Sequence, residues 1–112
     1  MTSGWEAELQ ERLRGIFVTE AAERLAALDA ALEALQRNAT GPEAEHHLAE
    51  AFRHAHTLKG GARAAGLPDV ERVAAGLESA FERLRSGDAA DPASLDAIAA
   101  ATDAVRALLD GR

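Results

Sequence analysis

Residues 48–67 read LAEAFRHAHTLKGGARAAGL, and this stretch combines the pattern of a packed helix with an unusual polar edge. On that edge His56, Lys59 and Gly60 are spaced three and four residues apart, so they are neighbours on a helix surface. An imidazole nucleophile, a cation and a position without a side chain therefore meet at one spot. These are the parts needed to carry a phosphoryl group on histidine. The apolar positions of the stretch predict its buried face, and they are Leu48, Phe52, Ala55, Leu58 and Ala62.

Similar apolar stripes predict three further helices along the chain: Ala21, Leu25, Leu28, Leu32 and Leu35 in the first, Val70, Val73, Leu77, Ala80 and Leu84 in the third, and Leu95, Ile98, Thr102, Val105 and Leu109 in the fourth. The stripe of the first helix recurs at alternating steps of four and three residues, the pattern of a helix that packs in a bundle. Gly41 and Pro42 interrupt the pattern, Gly66 is a plausible C-terminal stop, and Asp91 followed by Pro92 is a strong start signal. We predict helices over about residues 16–37, 43–65, 68–86 and 92–110.

Short connections between such helices favour antiparallel neighbours, so we predict an all-α fold, an antiparallel up-down four-helix bundle. Residues 5–14 are compatible with a short extra helix at the N-terminus, with Gly15 as a weak joint before the first long helix. The length of 112 residues suits one domain over residues 1–112. Aromatic residues are only 4% of the chain, which leaves little material for strands.

Charge and composition exclude several classes of function. The net charge of −7 argues against nucleic-acid binding, which depends on basic side chains that face phosphates. The chain has no cysteine, so thiolate metal sites and disulfides are excluded. No apolar run is long enough for membrane insertion, and the N-terminus lacks the pattern of a signal peptide. We therefore expect a cytoplasmic location.

The helical wheel places His56 at the boundary between the buried and exposed faces of the second helix. Arg53 and Arg63 share its stripe and are candidate docking residues. The third helix packs alongside and offers Glu78, which follows the buried Leu77. A carboxylate that accepts a hydrogen bond from His56 Nδ1–H would leave Nε2 unprotonated and outward, as a nucleophile needs.

The run from Ala55 to Gly61 resembles the phosphoacceptor helix of histidine phosphotransfer (HPt) domains, especially the form found in chemotaxis-type sensor histidine kinases. The resemblance covers residues 48–87 well and the first helix in pattern only. Some members of the family carry a second histidine at +19 from the acceptor, where this chain has Ala75, so any tuning of imidazole basicity by that histidine is absent or supplied otherwise. The family's lysine at +3, glycines at +4 and +10 and glutamate at +22 fall on Lys59, Gly60, Gly66 and Glu78.

The resemblance implies a phosphorelay signalling module with His56 as the phosphoacceptor. Lys59 and Glu78 would attract and orient the phosphate, and Gly60 would permit close approach by a partner. A separate histidine kinase catalytic domain would phosphorylate His56 from MgATP, and a response-regulator receiver domain would take the phosphoryl group onto an aspartate. The chain has no nucleotide-binding motif, so we expect no cofactor, and the isolated domain is expected to be monomeric.

Two alternatives to a kinase module stay open at this point. A free-standing phosphotransfer protein that shuttles between receiver domains would use the same residues. A helical interaction scaffold without phosphoryl chemistry is the other alternative, and the combination of residues around His56 counts against it.

A second cluster of polar residues precedes the acceptor on the same helix. Glu50 lies four residues from both His46 and His54, and His47 is adjacent, so potential zinc ligands share a face. Clusters of this kind arise often on exposed helices without a metal. We therefore expect no physiological metal site, although the sequence leaves incidental binding open.

Overall fold

A computed structural model describes residues 3–111, so residues 1, 2 and 112 of the predicted domain lie outside the described part. All four long helices are present, and residues 3–111 contain no strand, which confirms the all-α bundle. Within these residues no helix combines the length and the apolar character needed to cross a membrane. The four helices are α1 (Gly4–Arg37), α2 (Gly41–Ala64), α3 (Pro68–Arg85) and α4 (Pro92–Asp110).

The first helix is longer than the sequence pattern indicates. Residues 5–14 are the first turns of the 34-residue α1 and do not form a separate helix, and Gly15 lies inside α1. The cost of a helical glycine, about 1 kcal/mol, is offset because the turns before it are anchored to the end of α2. Gln10 Nε2 donates to the carbonyl of Ala64, and Arg14 Nε donates to that of Ala65, each at 3.3 Å.

The helices follow one another as antiparallel neighbours, and α4 returns to pack against α1. Contacts between α1 and α2 run from Gln10 with Ala64 to Arg24 with His54, which is the register of an antiparallel pair. At about 1.5 Å per residue, α1 spans nearly the whole 52 Å length of the molecule.

A single apolar core lies between the four helices. It contains the predicted stripes of α1 and α4, and its largest fully buried side chain is Phe81 of α3. On α3 the prediction is partly wrong, because Val73 and Ala80 are only partly buried and the core contains Ala74 and Phe81 instead. Phe52 departs from the prediction, because it is only partly buried and packs against the edge of the core. The largest of the other fully buried side chains are Leu28, Leu35, Leu58, Leu67, Leu77, Val70, Val105 and Thr102.

The ends of α2 and α4 have the signals that the sequence shows. Gly66 follows α2 with a φ of +72°, a left-handed conformation that favours glycine, and the Leu67 N–H donates to the Ala62 carbonyl at 2.9 Å. At the start of α4 the Asp91 side chain accepts a hydrogen bond from the Ser94 N–H at 2.8 Å. These caps fix where the chain leaves α2 for α3 and where it enters α4.

Candidate functional site

The antiparallel packing of α2 on α3 brings together three side chains that the sequence singled out. Glu78 of α3 lies opposite one turn of α2, and each of its carboxylate oxygens has a different partner. Oε2 contacts Nδ1 of His56, and Oε1 accepts a hydrogen bond from Nζ of Lys59 at 2.6 Å. One carboxylate therefore holds both the imidazole and the ammonium group.

The electrostatics of this cluster determine the tautomer of the imidazole. The hydrogen bond from Lys59 is the main cause that lowers the pKa of Glu78; the hydrogen bond from His56 adds to it, while burial opposes it. The carboxylate is therefore ionised near neutral pH and can only accept hydrogen bonds. His56 Nδ1 must then be the donor, which leaves the Nε2 lone pair of the neutral imidazole free.

The three side chains of the cluster differ in how far they are exposed to solvent, and the imidazole is the one that a partner can reach. The His56 side chain is 64% exposed, whereas that of Glu78 is only 16% exposed. Lys59 is intermediate, at 33%. A sheltered carboxylate thus holds an imidazole that a second protein can reach, with a cation one helical turn away.

The imidazole of His56 also contacts an aromatic ring. The rings of Phe52 and His56, one turn apart on α2, have centroids 6.3 Å apart and planes inclined by 16°. The guanidinium carbon of Arg85, in the last turn of α3, lies 4.8 Å from the centroid of the Phe52 ring. Sequence analysis did not identify Arg85, because its approach to Phe52 depends on the register between α2 and α3.

The two adjacent glycines of α2 have different surroundings. A Cβ atom built on Gly60 would have no neighbour within 4 Å, so this position is an open surface beside His56. A Cβ atom on Gly61 would lie 2.8 Å from Cδ1 of Phe17 in α1. Gly61 therefore packs within the bundle, and this contact between helices accounts for the glycine at that position.

The two candidate docking arginines lie on the exposed surface of α2. Arg53 pairs with Glu50, one turn earlier in the helix. The Arg63 guanidinium lies 3.9 Å from the carboxylate of Glu71 in α3, and its side chain is 81% exposed. Both side chains can reach a partner, and both already have an acidic neighbour.

The second polar cluster is not arranged as a metal site. Arg24 Nη1 of α1 donates a hydrogen bond to Nδ1 of His54 at 3.1 Å, and burial, followed by the charge of Arg24, lowers the pKa of His54. The rings of His46 and His47 face each other edge-on with centroids 5.8 Å apart. Over residues 3–111 no three histidine, aspartate or glutamate side chains form a group that could hold a metal ion.

Comparison with known proteins identifies the family. The family model described as the Hpt domain matches residues 12–108, which is most of the chain and includes the whole His56 cluster. No solved structure matches the chain. The helical bundle agrees with this family, whose members transfer phosphoryl groups through histidine in phosphorelays. The chain belongs to the Hpt domain family and is a phosphorelay histidine phosphotransfer module.

Proposed function

We propose that His56 is the phosphoacceptor, that it receives a phosphoryl group from a histidine kinase catalytic domain charged with MgATP, and that it passes the group to an aspartate of a receiver domain. The observation that carries this proposal is the contact of Glu78 with Nδ1 of an exposed imidazole. In the neutral imidazole that contact places the proton on Nδ1 and leaves Nε2 as the nucleophilic nitrogen. Among the other three histidines, only His54 has a carboxylate neighbour within residues 3–111: its Nε2 lies 4.0 Å from a Glu50 oxygen, beyond hydrogen-bond distance, and its Nδ1 faces Arg24.

The transfer is an in-line displacement at phosphorus. The Nε2 lone pair forms the N–P bond while the bond from phosphorus to the bridging oxygen of ATP breaks, and its electron pair leaves with ADP. The phosphorylated ring then carries a positive charge, which the Glu78 carboxylate at Nδ1–H stabilises. In the second step an aspartate oxygen of the receiver attacks phosphorus, the N–P bond breaks and its electron pair returns to Nε2.

Lys59, Gly60 and the two arginines have supporting roles in this proposal. The ion pair with Glu78 keeps the Lys59 ammonium one turn from His56, where it attracts the phosphoryl oxygens. Gly60 leaves open space for the active site of the partner. Arg53 and Arg63 offer positive charge to an acidic receiver surface, although the chain as a whole is acidic.

The biological context extends the same proposal. The Ala-His-Thr-Leu-Lys-Gly-Gly run favours the proposal that the chain is the phosphoacceptor module of a chemotaxis-type kinase. In this proposal the module acts in the cytoplasm and is monomeric as an isolated domain. A free-standing shuttle between receivers is the alternative, and it would use the same site. The residues that adjoin this domain in the native gene product distinguish the two.

Mapping of the phosphorylated residue tests the proposal. A chemotaxis-type kinase catalytic domain with radiolabelled MgATP should label the wild-type chain, and the label should be acid-labile and base-stable. His56→Gln should abolish the label, whereas His54→Gln, the matched control on the same helix, should retain it. Label that persists in His56→Gln, or that maps to His46, His47 or His54, would show that the assignment is wrong.

A further inference from the structure

We propose that Phe52 is a positioning residue that sets the plane of the His56 imidazole, and that Arg85 holds Phe52 in place. This inference rests on the proposed role of His56 and adds to it two residues outside the Glu78 cluster. The evidence is a continuous series of contacts from the end of α3, across the Phe52 ring, to the reacting imidazole.

The contact with Glu78 does not fix the imidazole alone. A hydrogen bond at Nδ1 restricts rotation of the ring about Cβ–Cγ, but only to the range over which the Glu78 side chain can follow it. The Nε2 lone pair lies in the plane of the ring, so its direction depends on this rotation. The Phe52 ring, inclined by only 16° to the imidazole with centroids 6.3 Å apart, supplies a second constraint. The separation lies within the range of offset-stacked aromatic pairs.

Phe52 can impose a plane because its own position is fixed from two directions. Its partly buried side chain packs against the apolar core of the bundle. The guanidinium carbon of Arg85 lies 4.8 Å from the ring centroid, inside the distance over which a cation attracts an aromatic face. Arg85 in turn lies 3.4 Å from a carboxylate oxygen of Glu82, one turn earlier on α3.

Alignment of the Nε2 lone pair with phosphorus is the geometric requirement of an in-line transfer. If the plane of the imidazole is already fixed before the reaction, the ring does not have to lose rotational freedom to reach the transition state. The contact between the Phe52 and His56 rings should therefore increase the rate of transfer, and it should not affect the fold or the identity of the acceptor. Phe52 and Arg85 make no contact with the phosphoryl group in this proposal.

A small phosphodonor tests positioning separately from docking. Phosphoramidate transfers its phosphoryl group when its P–N bond breaks and the electron pair leaves with ammonia, while Nε2 forms the new N–P bond. We expect Phe52→Leu, which keeps an apolar side chain but removes the ring, to slow labelling of His56 about 3- to 10-fold, the size of ordering one side-chain torsion. Phe52→Tyr, which keeps the ring, should stay within about twofold of wild type.

Arg85→Gln tests the contact of Arg85 with the Phe52 ring. The Arg85 side chain is exposed, so its substitution should not affect folding. We expect it to slow labelling by about two- to threefold, since it weakens the support of Phe52 without removing the ring. Arg83→Gln, also in the last turn of α3, is the matched control for loss of one positive charge and should label at the wild-type rate.

Nuclear magnetic resonance supplies a readout that general loss of stability would not change. Ring protons of His56 should shift in Phe52→Leu because the ring current of Phe52 is lost, and they should shift less in Arg85→Gln.

Wild-type rates and ring-proton shifts in both variants would overturn the inference, as would equal slowing by Phe52→Leu and Phe52→Tyr. If Phe52→Leu fails to fold, Arg85→Gln decides the outcome alone. Absence of label on His56 in the wild-type chain would instead contradict the proposed function, and the inference with it.

Discussion

Adjacent glycines in the middle of α2 show how much the meaning of one residue depends on which face it occupies. Both lack a side chain in a helix interior, where glycine is less favourable than alanine by about 1 kcal/mol each. Gly60 faces open space beside His56, and Gly61 faces the ring of Phe17 in α1. The sequence alone does not distinguish the two glycines. The direction that each one faces shows that Gly60 lies on an open surface, whereas Gly61 makes a contact within the fold.

Substitution of each glycine by alanine should change stability in opposite directions. Gly60→Ala should raise the free energy of unfolding by up to about 1 kcal/mol, since the new methyl group meets nothing and alanine favours the helix. Gly61→Ala should lower it by about 1–3 kcal/mol, because the methyl group must displace the buried Phe17 ring from a well-packed site. Urea denaturation of both variants measures the difference. Equal effects of the same sign would contradict the packing that we describe.

At the scale of the element, α1 continues through Gly15 because α2 holds the turns that precede it. The sequence suggested a joint there, since glycine weakens a helix and the apolar stripe is clear only from residue 16 onward. The contacts that stabilise the earlier turns are polar: Gln10 donates to the carbonyl of Ala64, the last residue of α2, and Arg14 donates to that of Ala65, which caps the helix. Carbonyl groups at a helix end lack partners within the helix, so these side chains also cap α2.

Loss of one of these caps should weaken the junction locally. We expect Arg14→Ala to increase amide hydrogen exchange at the end of α2 by about fivefold, which corresponds to one hydrogen bond of about 1 kcal/mol. Arg12→Ala is the matched control, since it removes the same side chain from an exposed position of the same helix. Equal exchange in the two variants would show that the Arg14 contact with Ala65 does not hold the two helices together.

At the scale of the whole molecule, the fold and the site use largely different residues. The core depends on apolar stripes, which repeat along each helix and are therefore visible in the sequence. This is why four long helices were expected in this order and why α2, α3 and α4 lie close to their predicted bounds, whereas α1 begins at Gly4 and includes the residues expected to form a separate helix. The contact of Glu78 with His56 was also expected, because the offset of Glu78 from His56 matched a family pattern and the neighbouring Leu77 marked the buried face of the helix.

The missed features depend on distances between helices that no local pattern records. Arg85 reaches Phe52 only through the register of α3 against α2. The half-buried position of Phe52 has a similar origin, because an apolar residue at helical spacing was assigned to the core although the bundle leaves it at the edge. The role of Gly61 depends on where α1 crosses α2, which the sequence of α2 alone does not contain.

Separation of fold and chemistry leads to a final prediction. His56→Gln should change the free energy of unfolding by less than about 0.5 kcal/mol, because the side chain is mostly exposed and an amide can still donate to Glu78. Lys59→Ala should likewise leave the helical content unchanged. Leu77→Ala, which truncates a fully buried side chain one residue before Glu78, should cost about 2–5 kcal/mol. Circular dichroism followed through urea denaturation compares all three variants with wild type. If His56→Gln unfolded the domain while Leu77→Ala did not, the imidazole would be a structural element of the bundle, and the proposal that it accepts a phosphoryl group would lose its basis.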